Sequence, residues 1–223
     1  MIDPSARVHP TVDLEPDVRI GGGTSVWHRA QLRSGASIGP YCVVGRDVFI
    51  DEGVTIGARV KIQNAALIYH GVTIADSVFV GPGAILTNDR YPRAVTSSGD
   101  VARAADWTVT PIRLETGCSI GAGAVVVAGV VVGQWATVGA GAVVTRDVPG
   151  HALVVGSPAR RIGWVCTCGV RLLDSNGDPA DAAPGRYAAH QDMTCPACGR
   201  IYAYVSDAET LEERSGPRQG APA

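Results

Sequence analysis

The chain has 223 residues, a formal net charge of -2, 28 glycines, and only 18% charged and 5% aromatic residues. This length fits one large domain, or one domain plus a small module, and the near-neutral charge argues against a nucleic-acid partner. No apolar run reaches the roughly 18 residues a membrane span requires, and MIDPSARVHP lacks the basic start and apolar core of a signal peptide. The expected location is therefore the cytoplasm.

From Ile2 to Leu86 every sixth residue is Ile, Val or Leu, as in Ile2, Val8, Leu14 and Ile20. From Ala6 to Ala84 every sixth residue is small or β-branched, as in Ala6, Val12, Val18 and Thr24. Glycine recurs beside the large site, as in Ile20-Gly21, Ile38-Gly39 and Ile56-Gly57. A period of six with one large and one small apolar site signals a hexapeptide β-helix. Each unit makes a short strand and a turn, the large residue plugs the centre, and stacking buries faces that one unit cannot bury alone. Cys42 and Cys118 fall on small inward sites and read as buried core thiols rather than nucleophiles.

The beat stops at ILTNDRYPR and resumes in a new phase at Leu114, carried by Ile120, Val126, Val132, Val138 and Val144. The segment 89–113 is therefore an extruded loop. A long structureless insertion in a compact domain usually has a function, and this one contains Arg90, Arg93, Arg103 and Trp107. It is either the wall of a pocket beside Asn88 or a decorative insertion.

The stretches VWHRAQLRSGASIG, VKIQNAALIYHGVTI, FVGPGAILTNDRYPRA and GAGAVVTRDVPGHALVVGSPARRIGWV narrow the reading. Over residues 2 to 165 the chain resembles the hexapeptide-repeat N-acetyltransferases that act on nucleotide-linked 3-amino sugars. The resemblance implies a left-handed parallel β-helix with eighteen residues per triangular turn, about seven turns here. It implies acetyl-CoA as co-substrate and a UDP-3-amino-glucuronate or dTDP-3-amino-dideoxyhexose type of acceptor. It also implies a homotrimer whose active sites lie between subunits. Asp89 and Arg93 belong to the shared TND-x-x-PR signature, and Tyr69 is shared as well.

Residues eighteen apart should stack, which places His70 and Asn88 at one corner on adjacent turns, with Glu52 and Ser34 continuing the column. An amine must shed a proton to become an amide, and an imidazole suits that duty near neutral pH. His70 is thus a candidate base, a positioning group, or a plain surface histidine. The Asn88 amide oxygen is placed to accept a hydrogen bond from the amine and aim its lone pair; the alternative is a turn asparagine. His28, above Arg46 and Asn64, either lines the nucleotide groove or sits on a solvated face. Arg93 either grips a phosphate or carboxylate or braces the loop. An acidic sugar would call for a basic group, for which Arg33, Lys61, Arg90 and Arg93 are all candidates. For acetyl-CoA, Gly121 and Gly139 offer a slot for the pantetheine arm, and Arg146 and Arg160 offer charge for the phosphates. The same glycines equally serve turns.

Past Trp164 the beat ends. Cys166-Thr-Cys168-Gly and Cys195-Pro-Ala-Cys198-Gly read as two knuckles of a structural Zn²⁺ site, with a pair of disulfides as the rival reading. His190 is a spare ligand. The expected organisation is a β-helix domain over 1–164, a zinc-ribbon-like module over 165–206 and a disordered tail over 207–223, with at most a short helix after Ser206. Two rivals are a non-enzymatic scaffold that docks through the ribbon and a γ-carbonic-anhydrase-like protein. The five histidines are too scattered in sequence to favour the latter.

Overall fold

The computed structural model describes residues 1–180, 191–205 and 210–216. The chain coils into a triangular parallel β-solenoid with no α-helix among the described residues. Face one stacks the rungs Arg7–Val8, Ser25–Val26, Val43–Val44, Lys61–Ile62, Phe79–Val80, Ser119–Ile120, Thr137–Val138 and Ala152–Val155. Face two runs from Asp13–Leu14 to Val143–Val144, and face three from Arg19–Ile20 to Val131–Val132. Corner one joins face one to face two, corner two joins face two to face three, and corner three closes the turn.

The eighteen-residue stacking is seen directly, for example Leu67 opposite Ile85 and Ile68 opposite Leu86. Every rung but Ala152–Val155 is two residues long, so pleat alternation sends one side chain out and one in. The inward Leu32, Ile50, Ile68, Leu86 and Ile120 are fully buried. Cys42 and Cys118 are buried at 1% and 0% exposure. Burial pushes the Cys118 thiol up to about 12, which removes it from nucleophilic chemistry.

The solenoid has about eight turns rather than seven. Face one gains a rung because Thr137 pairs with Leu153, an offset of 16 that breaks the six-residue phase and hides the last coil from a periodicity search. Turn residues also depart from expectation. Arg29, Tyr41, Arg59 and Trp135 occupy the left-handed region that Gly, Asn and Asp were expected to fill. Stacking compensates the strain: the Tyr41 N–H bonds Gly22 O at 2.9 Å and the Trp135 N–H bonds Thr116 O at 3.0 Å.

The insertion is short at its returning end. Ile112 is already buried at 0% exposure, Thr73 donates to its carbonyl at 3.0 Å, and Arg113–Leu114 is a rung. Solenoid geometry therefore resumes two residues before Leu114. Pro111 conceals that restart, because proline and its neighbour read as loop. Nor is the loop structureless: Val95 bridges Val101, and Ala104–Asp106 forms one 3₁₀ turn.

At the C-terminal end Arg160–Trp164 folds back antiparallel on Ala152–Val155. Asp192–Thr194, Ile201–Val205 and Thr210–Ser215 form a three-stranded antiparallel sheet. The strand Thr210–Ser215 corrects the expected helix or disorder there. TLEERS has one buried apolar residue, Leu211, and is held by pairing to its neighbour and by ion pairs Arg200–Glu213 (3.3 Å) and Arg214–Asp192 (3.2 Å). His190 and residues 217–223 lie outside the described residues.

Candidate functional site

Corner two is where the solenoid is interrupted. Below it the coil-to-coil offset is 18; across it Ile85 pairs with Val125, an offset of 40, so 22 extra residues leave the coil here. The signature Thr87-Asn88-Asp89 fixes the exit. Thr87 Oγ donates to Val126 O at 3.2 Å and accepts from the Ala128 N–H at 3.0 Å, sewing the last residue to the coil above. The Asn88 carbonyl accepts the Thr110 N–H at 3.1 Å, closing the neck of the loop. The Asp89 carboxylate accepts the Tyr91 N–H at 2.8 Å, turning the chain outward. Main-chain and short side-chain bonds thus consume most of the signature, but the half-buried Asn88 side-chain amide has no hydrogen bond among the described residues.

His70 lies one coil below Asn88 on the same corner, as the register of Leu67–Ile68 with Ile85–Leu86 requires. Its Nδ1 lies 2.6 Å from the Glu52 carbonyl oxygen, one coil lower again. A carbonyl only accepts, so Nδ1 is the donor here, and in the neutral ring Nε2 is then the nitrogen with the lone pair. The ring is exposed, and the returning Val109 crosses above the neighbouring Gly71, where a Cβ would collide with it. Arg146 stands on the same corner two coils above Asn88 and is exposed. Ser34, Glu52, His70 and Asn88 therefore share one column, as expected, and Arg146, considered separately for the acetyl-CoA phosphates, stands at the top of the same corner.

The loop borders a half-open cavity of about 660 Å³ lined by Asp89, Tyr91, Arg93, Thr96, Arg103 and Trp107. Arg93 donates to Pro92 O at 2.8 Å and has no carboxylate partner among the described residues. Arg90 instead lies over Gly129.

The other predicted residues sit elsewhere. His28, Arg46 and Asn64 line a 210 Å³ cavity with Trp27 on corner one, separated from His70 by face two. Tyr69, by contrast, directly precedes His70 where face two enters corner two; it is half-buried with its ring 5.5 Å from Phe49. Gly121 and Gly139 also belong to corner one. A Cβ on Gly121 would sit 2.4 Å from Ala140 N, and one on Gly139 would sit 2.7 Å from a Val155 methyl. Close stacking alone accounts for glycine at both. Arg160 is exposed at the start of the fold-back strand.

The sequence reading missed a chain of charge under His70. Arg33 bonds both Glu15 and Asp51, each at 3.1 Å, so it is occupied and is not the free basic group considered for an acidic sugar. The Ser34 N–H, then Arg33, hold the Glu15 carboxyl below its usual range. Spacing of eighteen would have found this set, because 15, 33 and 51 share one column. The tilted ring pair His9 and His28, with centroids 3.6 Å apart, was also missed; their separation of 19 steps off the beat.

Cys166, Cys168, Cys195 and Cys198 converge, with all four sulfurs within 4.8 Å of one another. The closest pairs, 166–198 and 168–195, stand at 3.5 Å, too far for a disulfide. They are near the ~3.8 Å edge of a tetrahedron with ~2.3 Å metal–sulfur bonds. Burial opposes ionisation of Cys198, but the Arg200 N–H, Cys166 and Cys195 outweigh it and bring the thiol down to about 6. Burial, reinforced by neighbouring thiols, drives Cys168 up to about 12. Four sulfurs this close would repel one another as thiolates, and a cation among them would offset that; the residues present fit one. Among the described residues of the single chain this is the only such group of three or more metal-competent side chains. The cluster is joined to the last coil. Tyr202 Oη lies 3.3 Å from Cys166 Sγ, and its ring is 4.9 Å from that of His151. His151 Nδ1 in turn bonds Val165 O at 2.9 Å.

Fold and site together define a hexapeptide-repeat β-solenoid with an extruded loop at one corner and a four-cysteine cap. The family pattern described as hexapeptide repeat of succinyl-transferase matches residues 35–70 and 111–146, on either side of the loop. The resemblance read from the sequence stands. The chain is similar to the dTDP-3-amino-3,6-dideoxy-alpha-D-galactopyranose 3-N-acetyltransferase of Aneurinibacillus thermoaerophilus, at 54% identity over 26% of this chain and 31% of the relative. It is also similar to the bifunctional protein GlmU of Alkalilimnicola ehrlichii, at 33% identity over 66% of this chain and 39% of the relative. A third relative, the serine acetyltransferase of Mycobacterium tuberculosis, is 35% identical over 60% of this chain and 48% of the relative. The chain thus spans less than half the length of each. No helix among the described residues is long and apolar enough to cross a membrane.

Proposed function

We propose that this protein is an acetyl-CoA-dependent N-acetyltransferase acting on the amino group of a nucleotide-linked sugar, with a 3-amino hexose as the acceptor. The observation that carries the reading is corner two: an imidazole whose Nδ1 is held by a carbonyl, one coil below an amide with no hydrogen bond among the described residues, at the neck of a loop that borders a half-open cavity. The similarity to a 3-N-acetyltransferase of a dTDP-3-amino sugar supports the choice of acceptor.

In this reading Asn88 accepts a hydrogen bond from the sugar amine and aims its lone pair at the thioester carbonyl carbon. The C–N bond forms and the C–S bond breaks. His70 Nε2 takes the amine proton and passes it to the departing CoA thiolate. Arg93 and Arg146, with no carboxylate partner among the described residues, meet phosphates of the two substrates. His28 and the corner-one cavity, together with Gly121 and Gly139, join the site only where a second subunit brings its corner one against corner two, as in a homotrimer. The four cysteines hold a structural Zn²⁺, and six unpaired thiols suit the cytoplasm.

The test is acetyl transfer from acetyl-CoA to a panel of UDP- and dTDP-linked 3-amino sugars, with serine as a control acceptor. The reading expects one 3-amino sugar to be acetylated and His70→Ala to lower kcat about 100-fold. Transfer to serine alone, or to no nucleotide sugar, defeats it.

A further inference from the structure

We infer that Asp51 is the positioning residue of His70: a single buried carboxylate that fixes both the backbone carrying the imidazole and the backbone carrying the carbonyl that sets its tautomer. This rests on the reading of His70 as the base. Asp51 is one of few buried charged residues in the solenoid, at 9% exposure. Its Oδ2 accepts the His70 N–H at 3.1 Å, and its Oδ1 accepts the Glu52 N–H at 2.8 Å. The Glu52 carbonyl, on the same residue as that second N–H, receives the His70 Nδ1 proton at 2.6 Å. The carboxylate thus ties together two coils at the point where the ring spans them. Arg33, itself tethered to Glu15, holds the carboxylate from the third side at 3.1 Å.

Turn N–H groups at other corners also meet a side-chain acceptor, as Ala58 meets Asp76 Oδ1 at 2.9 Å. What sets Asp51 apart is the imidazole on the residue it clamps. An exposed ring has two neutral tautomers, and only the one protonated on Nδ1 leaves Nε2 able to accept a proton. Asp51→Asn replaces one acceptor oxygen by an NH₂ group. With the remaining oxygen kept on Glu52 and Arg33, the His70 N–H faces a donor and is released.

The experiment compares Asp51→Asn with Asp76→Asn, which removes the same kind of turn bond where no histidine lies. Two readouts are used: the ¹⁵N chemical shifts of the His70 ring, which report the tautomer, and kcat and KM for acetyl transfer. The parent protein should show the tautomer protonated on Nδ1. Asp51→Asn should show a mixture, with kcat about tenfold lower and KM little changed, since misorientation of a reacting group is felt in the transition state. Asp76→Asn should lower the melting temperature without altering either readout. A parent ring protonated on Nε2 overturns the inference whether or not Asp51→Asn folds. Equal kcat losses in the two variants, or an unchanged tautomer in Asp51→Asn, also overturn it. The ring spectra need no turnover, so they decide the role of Asp51 even if no panel sugar is acetylated.

Discussion

The body of the solenoid and its C-terminal cap are built by opposite means. In the body each inward residue meets the same surroundings eighteen residues earlier and later, so stability is spread over many equivalent rungs and no single residue is decisive. In the cap, singular contacts do the holding: four sulfurs, one Tyr202–Cys166 contact, and one His151–Val165 bond. The difference teaches where loss of one group should be tolerated and where it should not.

The largest contrast should come from the cap. A structural metal contributes folding free energy outright. Cys195→Ser, or a strong chelator, should lower the melting temperature by roughly 10 °C or more and release about one Zn²⁺ per chain. Hydrogen exchange should then rise first at residues 160–172, while the coils around Leu32 and Ile50 stay protected. Uniform exchange along the whole chain would erase the contrast.

A smaller effect is expected at the exit of the loop, where the body itself relies on one group. Thr87→Val removes a hydroxyl that both donates to Val126 and serves the Ala128 N–H, at a cost of about 1–2 kcal/mol by denaturant unfolding. Thr73→Val, at an exposed outward position, should cost less than about 0.5 kcal/mol. Equal costs would mean that the exit is no more specialised than an ordinary rung.

The smallest effect concerns pH. Burial lowers the His151 pKa below its ordinary 6.5. The unfolded state therefore takes up the proton first, and the stabilisation is present above about 6.5 and lost as pH falls toward the folded value. Parallel melting curves of the parent and His151→Phe, each in its metal-loaded form, should converge between pH 7.5 and 5.5. A gap that widens on acidification contradicts this sign.

The body was legible in sequence because periodicity is shared by every coil. The column holding His70 and Asn88 was legible for the same reason, since spacing of eighteen fixes corner and height together. What escaped had no period. The last coil has an offset of 16, the loop ends behind Pro111, and Thr210–Ser215 becomes a strand only because Ile201–Val205 offers an edge. His28, Gly121 and Gly139 lie on corner one and His70 on corner two, and spacing fixes a residue's own corner but not which corners of different copies meet.

The claim on which the account turns is that corner two, not corner one, performs the transfer step. It is tested most directly by measuring kcat for acetyl transfer in Asn88→Ala and in Asn64→Ala, two asparagines at like positions on different corners. Corner-two chemistry predicts that Asn88→Ala loses about 100-fold in kcat while Asn64→Ala keeps the parent kcat and changes KM at most. A parent-like kcat in Asn88→Ala, or a larger loss in Asn64→Ala, would contradict it.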